Sequence, residues 1–426
     1  MQAEFSLEVY LKNYCLTTGA ITSIIKEKVG QAADDILFLG GSLIEGYGNN
    51  LSDIDAFLIT SRESCLKEKK GSVIFLDLTP CPLDIEIIYK EEIHHWASLI
   101  NGYFGKEHSD PRDALLFSTG ELKTMHRFLN GFTLYNEDEL KRLKQLFDPL
   151  KLADLLFMMT VAIIPTLQID LLGSIMSEVQ HTIVYNLQSI LDCLFKGLLA
   201  LHGNTNMSEK WLYHLLSIKM PPEWDRELPG GPLELPVHEY YSVMRNFKRK
   251  DFTELNDYII ELTCLINRII PWGQKKILKR NTPDHTSSGG KGKSEYKKKA
   301  QPQEFIDFNE KVPCLNHAVQ ILYENNSYKI QLVHKRMALY VNEQAYIAMV
   351  LFNGKKTLNE VAEELFHHTE ASREELIQHI KYLSDFAIYY GFSYADPQTK
   401  PYFSWNDFIR KNQGCFFNNS KINNFL

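Results

Sequence analysis

LFLGGSLIEGYGNNLSDIDAFLI, residues 37–59, is the stretch on which the fold turns. It begins inside an apolar run, ILFL (36–39), that reads as a buried strand ending at Gly40, Gly41 and Ser42. Glycines there let backbone N–H groups face a ligand without a Cβ in the way. A helix starting at this point would favour phosphate at its N-terminus. Further on, Ser52-Asp53-Ile54-Asp55 opens a second strand, DAFLI (55–59). Strand side chains alternate, so Asp53 and Asp55 are expected on one face, about 7 Å apart, with Ile54 on the other. Two carboxylates so placed, opposite a phosphate-binding turn, would hold Mg²⁺ as a bridge to triphosphate oxygens.

Such a site calls for a third acid. Two more strands follow, VIFLDL (73–78) and LDIEIIY (83–89), and the second carries Asp84 and Glu86 on one face with Leu83, Ile85 and Ile87 on the core side. Either acid could approach the Asp53/Asp55 pair, share a metal, or accept the proton of an attacking hydroxyl. A plain structural role is open to each residue as well: Ser42 as a cap, Asp53 as a turn acceptor, Glu86 as an exposed strand acid.

The order Gly41-Ser42, a loop, Asp53-x-Asp55, then a later strand acid resembles the DNA polymerase β-like nucleotidyltransferase superfamily over residues 36–89. The resemblance implies an α+β fold: a mixed sheet with helices, followed in the small-molecule (antibiotic) branch by a central helical bundle. It implies Mg²⁺-dependent transfer of a nucleoside monophosphate from an NTP to an acceptor. Asp53, Asp55 and Asp84 would then be catalytic and metal-binding, and Gly41, Ser42 and Ser52 would hold the nucleotide. ATP is the favoured donor, although no base-reading motif selects it. The segment NTNMSEKWL (204–212) resembles a loop-to-helix element of that branch, with Ser208 as cap and Lys210 in reach of the triphosphate. The pairs His94-His95 and His126-Arg127 lack metal-ligand spacing and read as ordinary surface or core residues.

The chain has 426 residues, 44% hydrophobic and 23% charged, enough for two or three packed domains. The expected division is a catalytic domain at 1–110, a helical domain at 111–273, a linker at 274–303, a small domain at 304–395 and a tail at 396–426. The net charge of −7 disfavours a dedicated nucleic-acid binder. The linker window departs from it, with nine Lys or Arg against two acids, and its Gly/Ser content reads as flexible. The apolar stretch 152–172 is broken by Asp154, Gln168 and Asp170, and the N-terminus carries Glu4 and Glu8 where a signal peptide would be basic, then apolar. Seven scattered cysteines without a CxxC suit free thiols. Together these give the expectation of a cytoplasmic protein with no membrane partner; a homodimer is compatible with them.

The C-terminal region reads as a hairpin (329–341), then helices capped at Asn342, opened at Thr357, and running from Arg373 to Phe386. Tyr340–Glu343, Phe352–Thr357, Val361–Leu365 and Leu376–Phe392 resemble the winged-helix-like PqqD-like peptide-binding domains. That resemblance implies capture of a precursor peptide's leader as an added strand. Acids at 360, 363, 364, 370, 374 and 375 argue against a DNA-recognition helix. Three functions therefore compete: a nucleotidyltransferase acting on a ribosomally made peptide, one acting on a small molecule, and a non-catalytic peptide-binding scaffold.

Overall fold

The computed structural model describes residues 7–29, 33–61, 73–78, 81–105, 110–177, 179–246, 252–281, 306–333, 338–366, 369, 371–389 and 391–394. The expected tail, most of the expected linker and the hairpin tip with Lys335 and Arg336 lie outside the described residues. The remainder is a mixed α+β protein. It divides into two compact units, one of residues 1–159 and 202–212, the other of residues 160–201 and 213–426.

In the first unit, helices α1 (Leu7–Asn13) and α2 (Thr18–Val29) precede strands β1 (Ile36–Gly40), β2 (Ile54–Thr60), β3 (Val73–Leu78) and β4 (Cys81–Tyr89). Then follow α3 (Lys90–Phe104), α4 (Thr119–Asn130), β5 (Phe132–Tyr135) and α5 (Glu137–Lys144). The sheet order is β3-β4-β2-β1-β5. Only β2 and β4 run parallel; β1 with β2, β1 with β5, and β3 with β4 are antiparallel. Burial along β4 alternates, so Leu83 and Ile85 enter the core while Asp84 and Glu86 stay half-buried on the other face. Tyr10, Ile21 and Ile25 of the first two helices pack on Leu37, Leu39, Ala56, Leu58 and Leu83 to form that core. α4 starts on a reciprocal cap, Ser118 accepting from the Glu121 N–H while Glu121 reaches back to Ser118. It buries Leu122, Met125 and Phe128.

The boundary between the units falls inside α6 (Pro149–Met176), which is followed by α7 (Gln180–Leu201). Both helices are long and apolar enough to cross a membrane by length and composition, but 56% and 67% of their most apolar windows is buried within the protein. The breaks at Asp154, Gln168 and Asp170 thus do not keep 149–176 below spanning length. α8 (Leu212–Lys219), α9 (Val237–Arg245) and α10 (Phe252–Asn281) complete the helical part. Residues 274–281, expected in the flexible linker, are the last two turns of α10. Ile277 is buried there, and Asn281 donates to the Ile277 carbonyl.

The second unit continues with β6 (Cys314–Leu315), β7 (Val319–Glu324), β8 (Ser327–Leu332), β9 (Ala338–Val341), α11 (Glu343–Val350), α12 (Leu358–Phe366), α13 (Arg373–Tyr389) and β10 (Ser393–Tyr394). β7, β8 and β9 form an antiparallel three-stranded sheet. Asn325 and Asn326, with φ of 52° and 59°, make the tight turn between β7 and β8. α11 is capped by Asn342, whose side chain accepts from the Ala345 N–H at 2.9 Å, and α12 by the Thr357–Glu360 pair.

The C-terminal strands do not stand apart from the helical region. Ile260 and Cys264 of α10 share one hydrophobic core with Val319, Ile321, Ile330, Tyr346 and Phe352. Polar side chains seal the outer edge of β7. Asn267 accepts from the Ile321 N–H at 2.7 Å, Gln274 accepts from the Tyr323 N–H at 2.9 Å, and the Gln168 and Asn267 amides donate to the Val319 carbonyl. The expected boundary between a helical domain and a tethered C-terminal domain is therefore not where the chain divides. Among the described residues Cys15, Cys81, Cys193, Cys264 and Cys314 are free thiols.

Candidate active site

The parallel pairing of β2 with β4 sets Asp55 directly beside Asp84, and the antiparallel pairing of β1 sets Gly40 beside Asp55 on the other side. Three neighbouring strands thus bring the glycine turn and two acids to one end of the sheet. Gly41 follows with φ +76°, a conformation that suits glycine. A Cβ there would lie 1.9 Å from Asp55 Oδ2. Asp53 lies just before β2 and is exposed; the strand begins at Ile54, so the expected alternation starts one residue later.

The helix expected at Gly41-Ser42 does not form. Residues 42–46 make successive turns in which Ile44 and Glu45 donate to the Gly41 carbonyl, and Tyr47 and Gly48 both donate to the Ser42 carbonyl. Gly46, at φ +83°, breaks any continuation. Ser52 closes the loop from the other end: its hydroxyl accepts from the Asn49 N–H at 2.9 Å, and its carbonyl accepts from the Tyr10 hydroxyl at 2.5 Å.

Electrostatically the acids act on one another. Burial pushes the Asp55 carboxyl up to about 6, against the opposing effect of Arg127, with further upward pressure from Asp53, Asp84 and Glu86. Asp84 is also raised, by burial first and then by the charge of Asp53 and a side-chain hydrogen bond with it. Glu86 has a different partner, accepting from the Thr124 hydroxyl at 2.7 Å.

Sequence reasoning set aside the segment around His126, yet α4 supplies the site's neighbours. Thr124 and Arg127, three residues apart on one helix face, meet Glu86 and Asp55 on adjacent strands. Arg127 Nη2 lies 3.2 Å from Asp55 Oδ1, and its guanidinium sits 5.6 Å from the centre of the Phe57 ring. His126 is buried with both ring nitrogens engaged: Nε2 is 3.0 Å from Glu45 Oε2, and Nδ1 is 2.7 Å from Thr205 Oγ1. The tautomer protonated at Nε2 satisfies both contacts. Asn206 also donates to Glu45 at 2.8 Å.

This network anchors the 204–211 segment to the turn after Ser42. The Tyr47 and Trp211 rings lie 5.5 Å apart beside it. Lys210 belongs to a 3₁₀ turn (Glu209–Trp211), not to the first turn of an α-helix, and Ser208 does not cap it by its side chain. The Lys210 ammonium lies 4.9 Å from the Trp211 ring centre. Lys210 therefore shares a neighbourhood with the glycine turn, and among the described residues no hydrogen bond or ion pair joins it to the acids.

An oxygen-only donor set of this kind suits a hard divalent cation. As the side chains lie, however, no three His, Cys, Asp or Glu among the described residues form a group able to hold a metal. Arg127 is paired with one Asp55 oxygen.

No family model matches the sequence, and no curated protein matches it. Among solved structures, the chain is similar to a nucleotidyltransferase-like protein from Exiguobacterium sibiricum 255-15. The two are 13% identical, with 62% of this chain and 79% of that one covered, at a TM-score of 0.37. At that score the functional reading rests on the acids and glycines themselves.

Proposed function

We propose that this chain is a nucleotidyltransferase that moves a nucleoside monophosphate from an NTP, with ATP the favoured donor, to an acceptor hydroxyl or amine. The observation that supports it most is the registry of Asp55 with Asp84 on parallel strands, with Gly40 and Gly41 across the neighbouring rung. In this reading Asp53, Asp55 and Asp84 hold Mg²⁺, which when bound supplies charge neutralisation of the triphosphate. Gly41 gives the phosphates access to backbone N–H groups, Ser42 and Ser52 shape the turn, and Lys210 approaches from the anchored 204–211 segment. The bond between the α-phosphorus and the pyrophosphate oxygen breaks as the acceptor bonds to phosphorus. Asp84, held basic by burial and Asp53, takes the acceptor's proton.

A ribosomally made peptide is the proposed acceptor, recruited through its leader by β9. With the outer edge of β7 sealed by Asn267, Gln274 and Gln168, β9 offers the other edge for strand addition. The second reading, a small-molecule acceptor, draws on the shared core of α10 and the C-terminal strands, which suits a structural part as well as a recruiting one. Incubation with each NTP, Mg²⁺ and short peptides encoded beside the gene, read by pyrophosphate release and intact mass, tests the proposal. A mass increase by one nucleoside monophosphate supports it; no NTP turnover on any acceptor leaves the scaffold reading.

A further inference from the structure

Four acids converge where β2 and β4 meet the glycine turn, and a cluster of that sign needs a counter-charge when no cation is bound. Arg127 supplies it from α4. Its placement is specific: the Arg127 stem packs where a Cβ on Gly40 would come within 3.1 Å of its own Cβ, so the missing side chain at position 40 makes room for it. Its head reaches Asp55 while lying over Phe57. The arginine side chain is nonetheless 32% exposed, against 15% for Asp55. The carboxylate is fixed in the sheet, whereas the guanidinium has an open path to solvent.

We propose that Arg127 is a positioning residue, an internal counter-ion that holds Asp55 until the divalent cation displaces it. This inference rests on the nucleotidyltransferase reading of the acids and adds a gate to it: cation binding at Asp55 requires Arg127 to leave. Nucleotide is not needed for the exchange, because the competition is between two cations for the Asp55 carboxylate.

The test is titration of the full-length protein with Mn²⁺ alone, following the free ion by paramagnetic resonance. Arg127→Met keeps the stem over Gly40 and Phe57 and removes the charge, and Arg127→Gln is a second neutral variant should the first fail to fold. Either is expected to bind Mn²⁺ on the order of tenfold tighter than wild type, the size of effect given by removing one positive charge a few ångströms away where water screens the half-exposed guanidinium strongly. Arg127→Lys should restore an affinity near that of wild type, which a purely packing role would not do. Adding Asp55→Asn to Arg127→Met should erase the gain. Unchanged or weaker Mn²⁺ binding in both neutral variants, with Asp55→Asn still weakening wild type, overturns the counter-ion while leaving the metal reading intact. Absence of Mn²⁺ binding in every variant overturns both.

Discussion

The carboxylate of Asp55 occupies the space that a side chain on Gly41 would need, with Oδ2 1.9 Å from the position of an ideal Cβ. The turn and the acid are therefore fitted to each other, and neither can change alone. Gly41→Ala is expected to combine a left-handed alanine with a displaced Asp55, costing about 1–3 kcal/mol of stability and abolishing nucleotide transfer. Thermal unfolding together with pyrophosphate release checks it; a stable Gly41→Ala variant of full activity would detach the turn from the site.

Asp55 also sets a pH dependence. Its folded value of about 6 lies above the ordinary carboxylate value, so the folded protein favours the protonated form. The stability linked to this group is fully present below about pH 4, the unfolded value, and is lost as pH rises through 6. Without divalent cation, Asp55→Asn should raise stability at pH 7 by about 1–3 kcal/mol and flatten the profile between pH 4 and 7, as denaturant unfolding would show. The same variant should lose transfer, since a neutral amide holds a cation poorly.

Asp84 and Glu86 share a strand face but not a partner. Burial and then the charge of Asp53 raise Asp84, whereas Glu86 is held by Thr124. Asp84→Ala is expected to lower the rate by roughly 10²–10⁴-fold, whereas Glu86→Gln, which can still accept from Thr124, should cost little. Steady-state kinetics with Mg²⁺ and the best NTP decides between them. The reverse ranking would move the proton acceptor to Glu86.

Removal of residues 304–426 should damage the protein beyond any loss of peptide recruitment. It strips the partners of Ile260 and Cys264, and leaves Asn267 and Gln274 facing no strand. The expected outcome is poor solubility or a melting temperature lower by roughly 10 °C. A truncated protein with wild-type melting would restore the picture of an independent, tethered domain.

Much of this was readable in the residues themselves. β3 at Val73–Leu78 matches the expected strand residue for residue, and α12 at Leu358–Phe366 begins directly after the expected opening at Thr357. The turn after Gly41 was misread as a helix start: Gly46 and Gly48 favour closure onto Ser42 over continued i→i+4 bonding. β7 was missed although Asn325 and Asn326 are a residue type that tolerates the positive φ a two-residue hairpin turn requires. Arg127 and His126 could not be placed, since nothing local to α4 says which strand acid or loop it will face. The same holds for the union of α10 with the C-terminal strands, which is fixed by Asn267 and Gln274 meeting β7 at long range.

That union gives the three-stranded sheet a polarity of growth. A free strand edge on each side would let copies of the protein stack through their sheets, the route by which exposed edges lead to aggregates. Asn267, Gln274 and Gln168 occupy the bonding positions along β7 with side chains that cannot be extended by another backbone. Whatever adds to this sheet must therefore do so at β9, one strand at a time, and an added strand ends the series on that side unless its own far edge is left bare.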